Sequence, residues 1–189
     1  MPADPVASYL LALTANEQRV RTVGDDLWAG PTPCTEWSVH DLVNHLVSEH
    51  HWAKELLSGR TIDDVGDRFE GDLLGDDPVR AFEESVRVAR AAVQVPGAMA
   101  VTCHLSFGDT PAPEYVGQLL VDEVVHGWDL AVATGQDAAL DPTLVAVCWE
   151  GLQPAREMIR ASGVFGEEID VSPQASLQTR LLGLLGRRG

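Results

Sequence analysis

Residues 119–131 read LLVDEVVHGWDLA, and this stretch decides the fold. Its spacing predicts a helix, yet Leu119, Leu120, Val121, Val124, Val125, Trp128 and Leu130 leave Asp122, Glu123, His126 and Asp129 without a solvated face. A helix that is apolar nearly all round belongs in the middle of a helical core. Polar side chains carried there need partners. The helix is expected to begin near Pro113 and run to about Thr134, with Gly135 where a C-cap glycine would sit.

Further helices flank it. Val6, Tyr9, Leu10, Leu13, Val20 and Val23 recur at helical spacing from Asp4 to about Gly24. The loop GPTPCTEW (30–37) then ends regular structure. Ser38, with Asp41 three positions on, is placed to cap a second helix reaching about Leu57. Residues 59–77, rich in Gly and Asp, read as a mobile acidic connection. Pro78 opens a third long helix that stops before Pro96. The segment near 98–108 alone has β character, as an extended arm or one edge strand. A helix over 142–162 and a short terminal one follow. The pattern predicts an all-α fold, a four-helix bundle with additional C-terminal helices, as one domain over residues 1–189.

Composition narrows the function. A net charge of -16 repels phosphate backbones and anionic lipid, so neither nucleic acid nor a membrane is an expected partner. Cys34, Cys103 and Cys148 are odd in number and lack CxxC spacing, which fits a reducing cytoplasm rather than a disulfide framework. The first residues, MPADPVASYLLALTANEQR, do not resemble an export signal. Nothing in the composition identifies an interface, although a homodimer is compatible with it.

Asp122 and His126 are four residues apart, roughly 40° around one helical face, so both can point at one atom. Carboxylate oxygen and imidazole nitrogen suit zinc and similar divalent ions. In HDLVNHLVSEHHW (40–52), Asp41, His45, Glu49 and Trp52 fall on one continuous face, and His45 lies among Leu42, Val43, Leu46 and Val47. If the two helices pack together, His45, Asp122 and His126 supply two nitrogens and one oxygen around a common point. An open position for water or substrate remains, as in catalytic metal sites.

Other polar residues read differently. His50 and His51 lie off the ligand face, and His40 reads as a first-turn surface residue. His104 either lines a pocket or pairs with nothing. Glu123 points away from Asp122's face, as an exposed or interhelical charge, and stays open as an alternative carboxylate; Glu49 is a candidate to close the shell. Asp129, three beyond His126, is placed to hold that imidazole from behind or to cap neighbouring backbone. Cys34 precedes a helix start that would lower a thiol pKa, but no base adjoins it in sequence, and it reads as a packed loop residue. Trp52 and Trp128 are placed to wall a pocket beside the site.

PTPCTEWSVHDLVNHLV (31–47), LLVDEVVHGWDLAVATGQD (119–137) and RLLGLLGRR (180–188) resemble the actinobacterial family related to the metal-binding domain of mycothiol-dependent maleylpyruvate isomerase, within the DinB-like superfamily. The resemblance covers nearly the whole chain. It implies a four-helix bundle that holds a divalent metal through two histidines and a carboxylate, here His45, His126 and Asp122. Zinc comes first among the ions, with nickel, iron, cobalt or manganese as alternatives, and mycothiol is the implied cosubstrate. This chain has Asp122 where the isomerase has glutamate four before its second metal histidine. Its length also leaves no room for the isomerase's C-terminal domain, so the resemblance implies no substrate.

Three functional readings follow. The first is a metal-dependent enzyme that activates a low-molecular-weight thiol, or water, towards a small electrophile, as an S-transferase, isomerase or hydrolase. The second is a non-catalytic metal-binding or ligand-sensing bundle with a closed coordination shell. In the third, His45 and Asp122 share hydrogen bonds in a polar core seam without metal.

Overall fold

A computed structural model of the chain describes residues 4–157 and 166–189. Helix α1 (Pro5–Val20) starts where the Asp4 side chain accepts from Val6 N, with Pro5 pre-set for the first turn. Helix α2 (Val39–Leu56) opens with the capping box expected at Ser38: its hydroxyl accepts from Asp41 N, and the Asp41 side chain accepts from Ser38 N. Asp41 is therefore spent on the cap and leaves the face it was expected to share with His45. Helix α4 (Pro78–Val93) is capped by Asp77, and the long helix α5 (Ala112–Ala133) ends just before Gly135, whose φ of 68° lets the chain turn.

Helices α1, α2, α4 and α5 form the bundle. α1 packs on α5 and α4, and α2 packs on α4 and α5. Leu13, Leu42, Leu46, Phe82, Leu120 and Leu130 are among the fully buried side chains between them. Helix α6 (Pro142–Leu152) lies against α5, and the terminal helix α7 (Leu177–Leu184) lies against α6. The expected helix over 142–162 is thus observed to Leu152, with a 3-10 turn at Gln153–Ala155; residues 158–162 lie outside the described residues. Among the described residues, no helix is long and apolar enough to cross a membrane.

Two connections differ from their sequence reading. Residues 59–77 do not form a bare acidic link. Thr61 and Asp64 make a second capping box that starts α3 (Ile62–Val65). The remainder is laid along α2: Asn44 Nδ2 donates to Gly71 O at 2.9 Å, Leu73 N donates to Asn44 Oδ1 at 2.7 Å, and Ser48 donates to Phe69 O at 3.1 Å. The β character near residue 100 is a hairpin rather than one strand, with β1 (Thr102–Leu105) antiparallel to β2 (Gly108–Pro111).

Gly127 sets how closely α5 approaches α1. A Cβ there would run into the Asn16 side chain, lying 3.1 Å from its Cγ. Asn16 cannot swing aside, because its Nδ2 donates to Glu123 O at 2.8 Å and to Glu123 Oε2 at 2.7 Å. Gly127→Ala should therefore overpack the helix pair and cost about 1–3 kcal/mol. In thermal unfolding this reads as a fall of about 2–4 °C per kcal/mol for a chain of this size.

Candidate metal centre

The site lies where the first turns of α2 meet the middle of α5. His45 stands on α2 and Asp122 and His126 on α5, and the packing of these helices brings the three together. His45 Nε2 is 3.0 Å from Asp122 Oδ2, and His126 Nε2 is 3.3 Å from Asp122 Oδ1. The two imidazoles thus present the same nitrogen to opposite oxygens of one carboxylate. His45 and Asp122 keep side-chain exposures of 26% and 24%, so the apolar neighbours of His45 do not seal it from solvent.

His126 is buried and oriented from behind. Its Nδ1–H donates to Asp129 Oδ2 at 3.1 Å, which fixes the tautomer and leaves Nε2 free to ligate. Asp129 therefore takes the first of the two roles open to it in the sequence. It is itself gripped by Arg187, with Nη2 at 2.9 Å from Oδ2 and Nε at 3.3 Å from Oδ1.

Cys34 is not a packed loop residue remote from the chemistry. Its Sγ donates to Asp129 Oδ2 at 3.2 Å, receives Arg187 Nη2 at 3.1 Å, and lies 3.8 Å from His126 Nδ1. The loop reaches this place because Thr32 Oγ1 donates to Trp37 O at 2.9 Å and Trp37 N donates to Cys34 O at 2.8 Å, folding 32–37 into a tight turn. The same turn lays the Trp37 ring over both histidines, with centroids 4.8 Å from His45 and 5.6 Å from His126.

Electrostatics follow from this geometry. Burial would raise the Asp122 carboxyl pKa, but the facing His126 charge and the hydrogen bonds from both imidazoles outweigh it and hold the group ionised well below the usual carboxylate range. Burial would lower His126; Asp122, then Asp129 and Cys34, overcome it and raise the imidazole well above its ordinary value. Burial would lower His45 too, but the hydrogen bond to Asp122 and the charge of that carboxylate together outweigh it and raise the imidazole. Without an ion, the carboxylate is compensated by protonated imidazole.

The triad opens onto a cleft of about 530 Å³ walled by Cys34, Trp37, His45, Asp122, His126 and Arg187, with Gly166 and Gly186 on its C-terminal side. Trp52 and Trp128 do not line it: Trp52 packs edge-on against Phe69, and Trp128 is buried. Among the described residues, two sets of donor atoms are close enough to hold a metal, one being His45, Asp122 and His126 and the other Cys34, His126 and Asp129. Glu49 belongs to neither; burial, then the Asp122 charge, raises its carboxyl pKa.

Glu123 belongs to neither donor set. It points between the helices, 2% exposed, where it receives Asn16 Nδ2 and, at 2.6 Å, His50 Nε2. His50 is fully buried, off the ligand face as read from the sequence, and its Nδ1 is hydrogen-bonded with Ser85 Oγ at 2.8 Å. His51 stacks on Phe69, His40 lies 3.6 Å from Asp72, and His104 pairs with Asp109 at 2.7 Å within the hairpin rather than standing alone.

Arg187 had no role assigned from the sequence, and Trp37, whose residue type suggests core filling, lies over the histidines instead. Both sit in the segments, 31–47 and 180–188, that carry the family resemblance, and that was the available signal.

Comparison with known proteins agrees with this architecture. The model of the family described as "Mycothiol maleylpyruvate isomerase N-terminal domain" matches residues 10–131, which include most of α1, the whole of α2 and α4, and all of the triad. Two uncharacterized proteins of Mycobacterium tuberculosis, one from strain CDC 1551 / Oshkosh and one from strain ATCC 25618 / H37Rv, are each 32% identical over 160 residues, covering 82% of this chain and 80% of the relative. No solved structure matches the chain.

Proposed function

From the premise that this chain belongs to the mycothiol maleylpyruvate isomerase N-terminal domain family, we propose that it is a metal-dependent enzyme acting on a small electrophile with a thiol, or water, as nucleophile. The observation that carries this reading is the open triad: two Nε2 atoms and one carboxylate converge at the wall of a cleft large enough for a small molecule. Two nitrogens and an oxygen suit zinc, with nickel, iron, cobalt or manganese as alternatives. A set of only three protein ligands leaves a position for a reactant. Glu49, a candidate for closing the shell of a non-catalytic site, belongs to neither donor set.

His45, Asp122 and His126 would hold the ion. Bound there, it would lower the pKa of a thiol or water and supply a nucleophile near neutral pH. Asp129 keeps the His126 proton on Nδ1. Trp37 covers the two imidazoles on the loop side and limits the approach to the cleft. The thiol the family name points to is mycothiol, entering as cosubstrate.

Elemental analysis of the purified, untagged protein, beside the His45→Ala variant, tests the reading. Near-stoichiometric metal in the first and little in the second is the expected result, and thiol-transfer assays with mycothiol follow from it. No metal in either protein, even after reconstitution, would favour the hydrogen-bonded polar seam. Cys34→Ser should keep its metal; loss there would make the thiol a ligand.

Metal uptake should also be coupled to protons. Both imidazoles are raised above the ordinary histidine range and must shed their protons to ligate, so apparent affinity rises with pH and levels off above those raised values. Calorimetric titration in buffers of different ionisation enthalpy should register proton release near neutral pH. Affinity indifferent to pH in this range would contradict ligation by these histidines.

A further inference from the structure

We infer that Arg187 decides which side of His126 takes the ion, by occupying the competing site as a permanently installed cation. The inference rests on the metal reading above and concerns the second donor set, Cys34, His126 and Asp129.

That second set is well formed. His126 Nδ1, Asp129 Oδ2 and Cys34 Sγ are separated by 3.1, 3.2 and 3.8 Å. The edge of a tetrahedral site with bonds of about 2.0–2.3 Å is roughly 3.3–3.8 Å. It also contains a thiol, and as a thiolate sulfur is a donor that zinc and cobalt accept readily. Neither spacing nor ligand chemistry explains why an ion should prefer the Nε2 side of the imidazole.

Arg187 supplies the reason. Its Nη2 stands 2.9 Å from Asp129 Oδ2 and 3.1 Å from Cys34 Sγ, against two of the three atoms an ion would need. A guanidinium cannot be neutralised by losing a proton in a protein, so its charge is fixed. A divalent cation entering that set would have to expel it. Expulsion is resisted by the other terminal nitrogen of the same guanidinium, since Nη1 donates to Leu185 O at 2.8 Å. It is resisted again by the turn at Gly186, where a Cβ would meet the Gly166 backbone at 2.7 Å. With Arg187 in place, Asp129 serves His126 as hydrogen-bond acceptor and Cys34 stays out of the coordination sphere. The sulfur lines the cleft beside the ion instead of being bound to it.

Cobalt(II) titration of the metal-free, full-length protein separates the possibilities, because sulfur ligation gives a near-ultraviolet charge-transfer band that nitrogen and oxygen ligands lack. The wild type should bind cobalt without that band. Arg187→Ala should acquire it, and Arg187→Ala combined with Cys34→Ser should lose it again. Arg187→Lys, which retains a cation, should resemble the wild type, and Arg187→Gln repeats the test of lost charge with a longer side chain, should the alanine variant not fold by circular dichroism.

A charge-transfer band in the wild type would overturn the inference while leaving metal binding intact. So would a folded, neutral Arg187 variant that binds cobalt without the band. If the wild type binds no cobalt and the Arg187→Ala variant binds it through sulfur, the exclusion by Arg187 stands and the three-ligand reading fails. Failure of both proteins to bind cobalt overturns both.

Discussion

Replacing His126 with alanine is expected to strip the protein of metal while leaving a helical bundle. His126 is the one residue shared by both donor sets, so its removal reduces each to two ligands. It is also the group whose positive charge offsets the Asp122 carboxylate, and an ion retained by Asp122 and His45 alone would have lost the Asp129-oriented nitrogen. Disturbing only the orientation of a ligand, as Asp129→Asn would, typically costs about 10–100-fold in affinity. Losing the ligand should cost more than that and bring occupancy after dialysis close to zero. The helix itself has no need of the imidazole, since α5 is anchored along its length by Leu119, Leu120, Val124 and Leu130. Elemental analysis beside far-ultraviolet circular dichroism checks both halves, and a folded His126→Ala variant with full metal occupancy would remove His126 from the ligand set.

The relations that the sequence makes visible and the structure reproduces are those whose evidence is local. The Ser38 cap and the Asp122/His126 pair are relations across three and four residues, and His45 stood out because its immediate neighbours are apolar. Arg187 meets Asp129 across 58 residues and Cys34 across 153, and no periodicity encodes such a contact. Glu123, open in the sequence between an exposed and an interhelical charge, is interhelical, and the sequence left the choice open for a different reason. Within 119–131 every residue but Asp122 is buried, so this helix has no outward face to which a charge could be assigned. On such a helix each polar residue needs its own partner, and those partners sit on α1, on α2, in the 32–37 loop and near the C-terminus, where spacing within α5 does not reveal them. The acidic stretch 59–77 shows the converse: its composition signalled a loop, while its order comes from Asn44 and Ser48 of α2.

The largest loss of stability should come from Glu123, although it lies outside the metal site. Its carboxylate and its backbone carbonyl receive Asn16 from α1, and the carboxylate receives His50 from α2, which in turn reaches Ser85 on α4. One residue of α5 thereby ties all four bundle helices through hydrogen bonds shielded from water. Glu123→Ala would leave the His50 imidazole without its acceptor and the Asn16 amide with only the backbone carbonyl of residue 123, in a sealed interior where breaking one half of a buried pair costs about 3–5 kcal/mol. Against a typical total stability of about 5–15 kcal/mol, that removes a large share. At about 2–4 °C per kcal/mol, the melting temperature should fall by roughly 6–20 °C. Metal content at low temperature should be unchanged, because Asp122, and not Glu123, faces the Nε2 atoms of His45 and His126 that are proposed to hold the ion. Replacing Glu123 and His50 together with apolar residues of similar volume should recover much of the loss, since the penalty arises from an orphaned partner and not from the absence of the pair. A Glu123→Ala protein that melts normally but loses its ion would reverse the assignment, making Glu123 the ligand and Asp122 the structural charge.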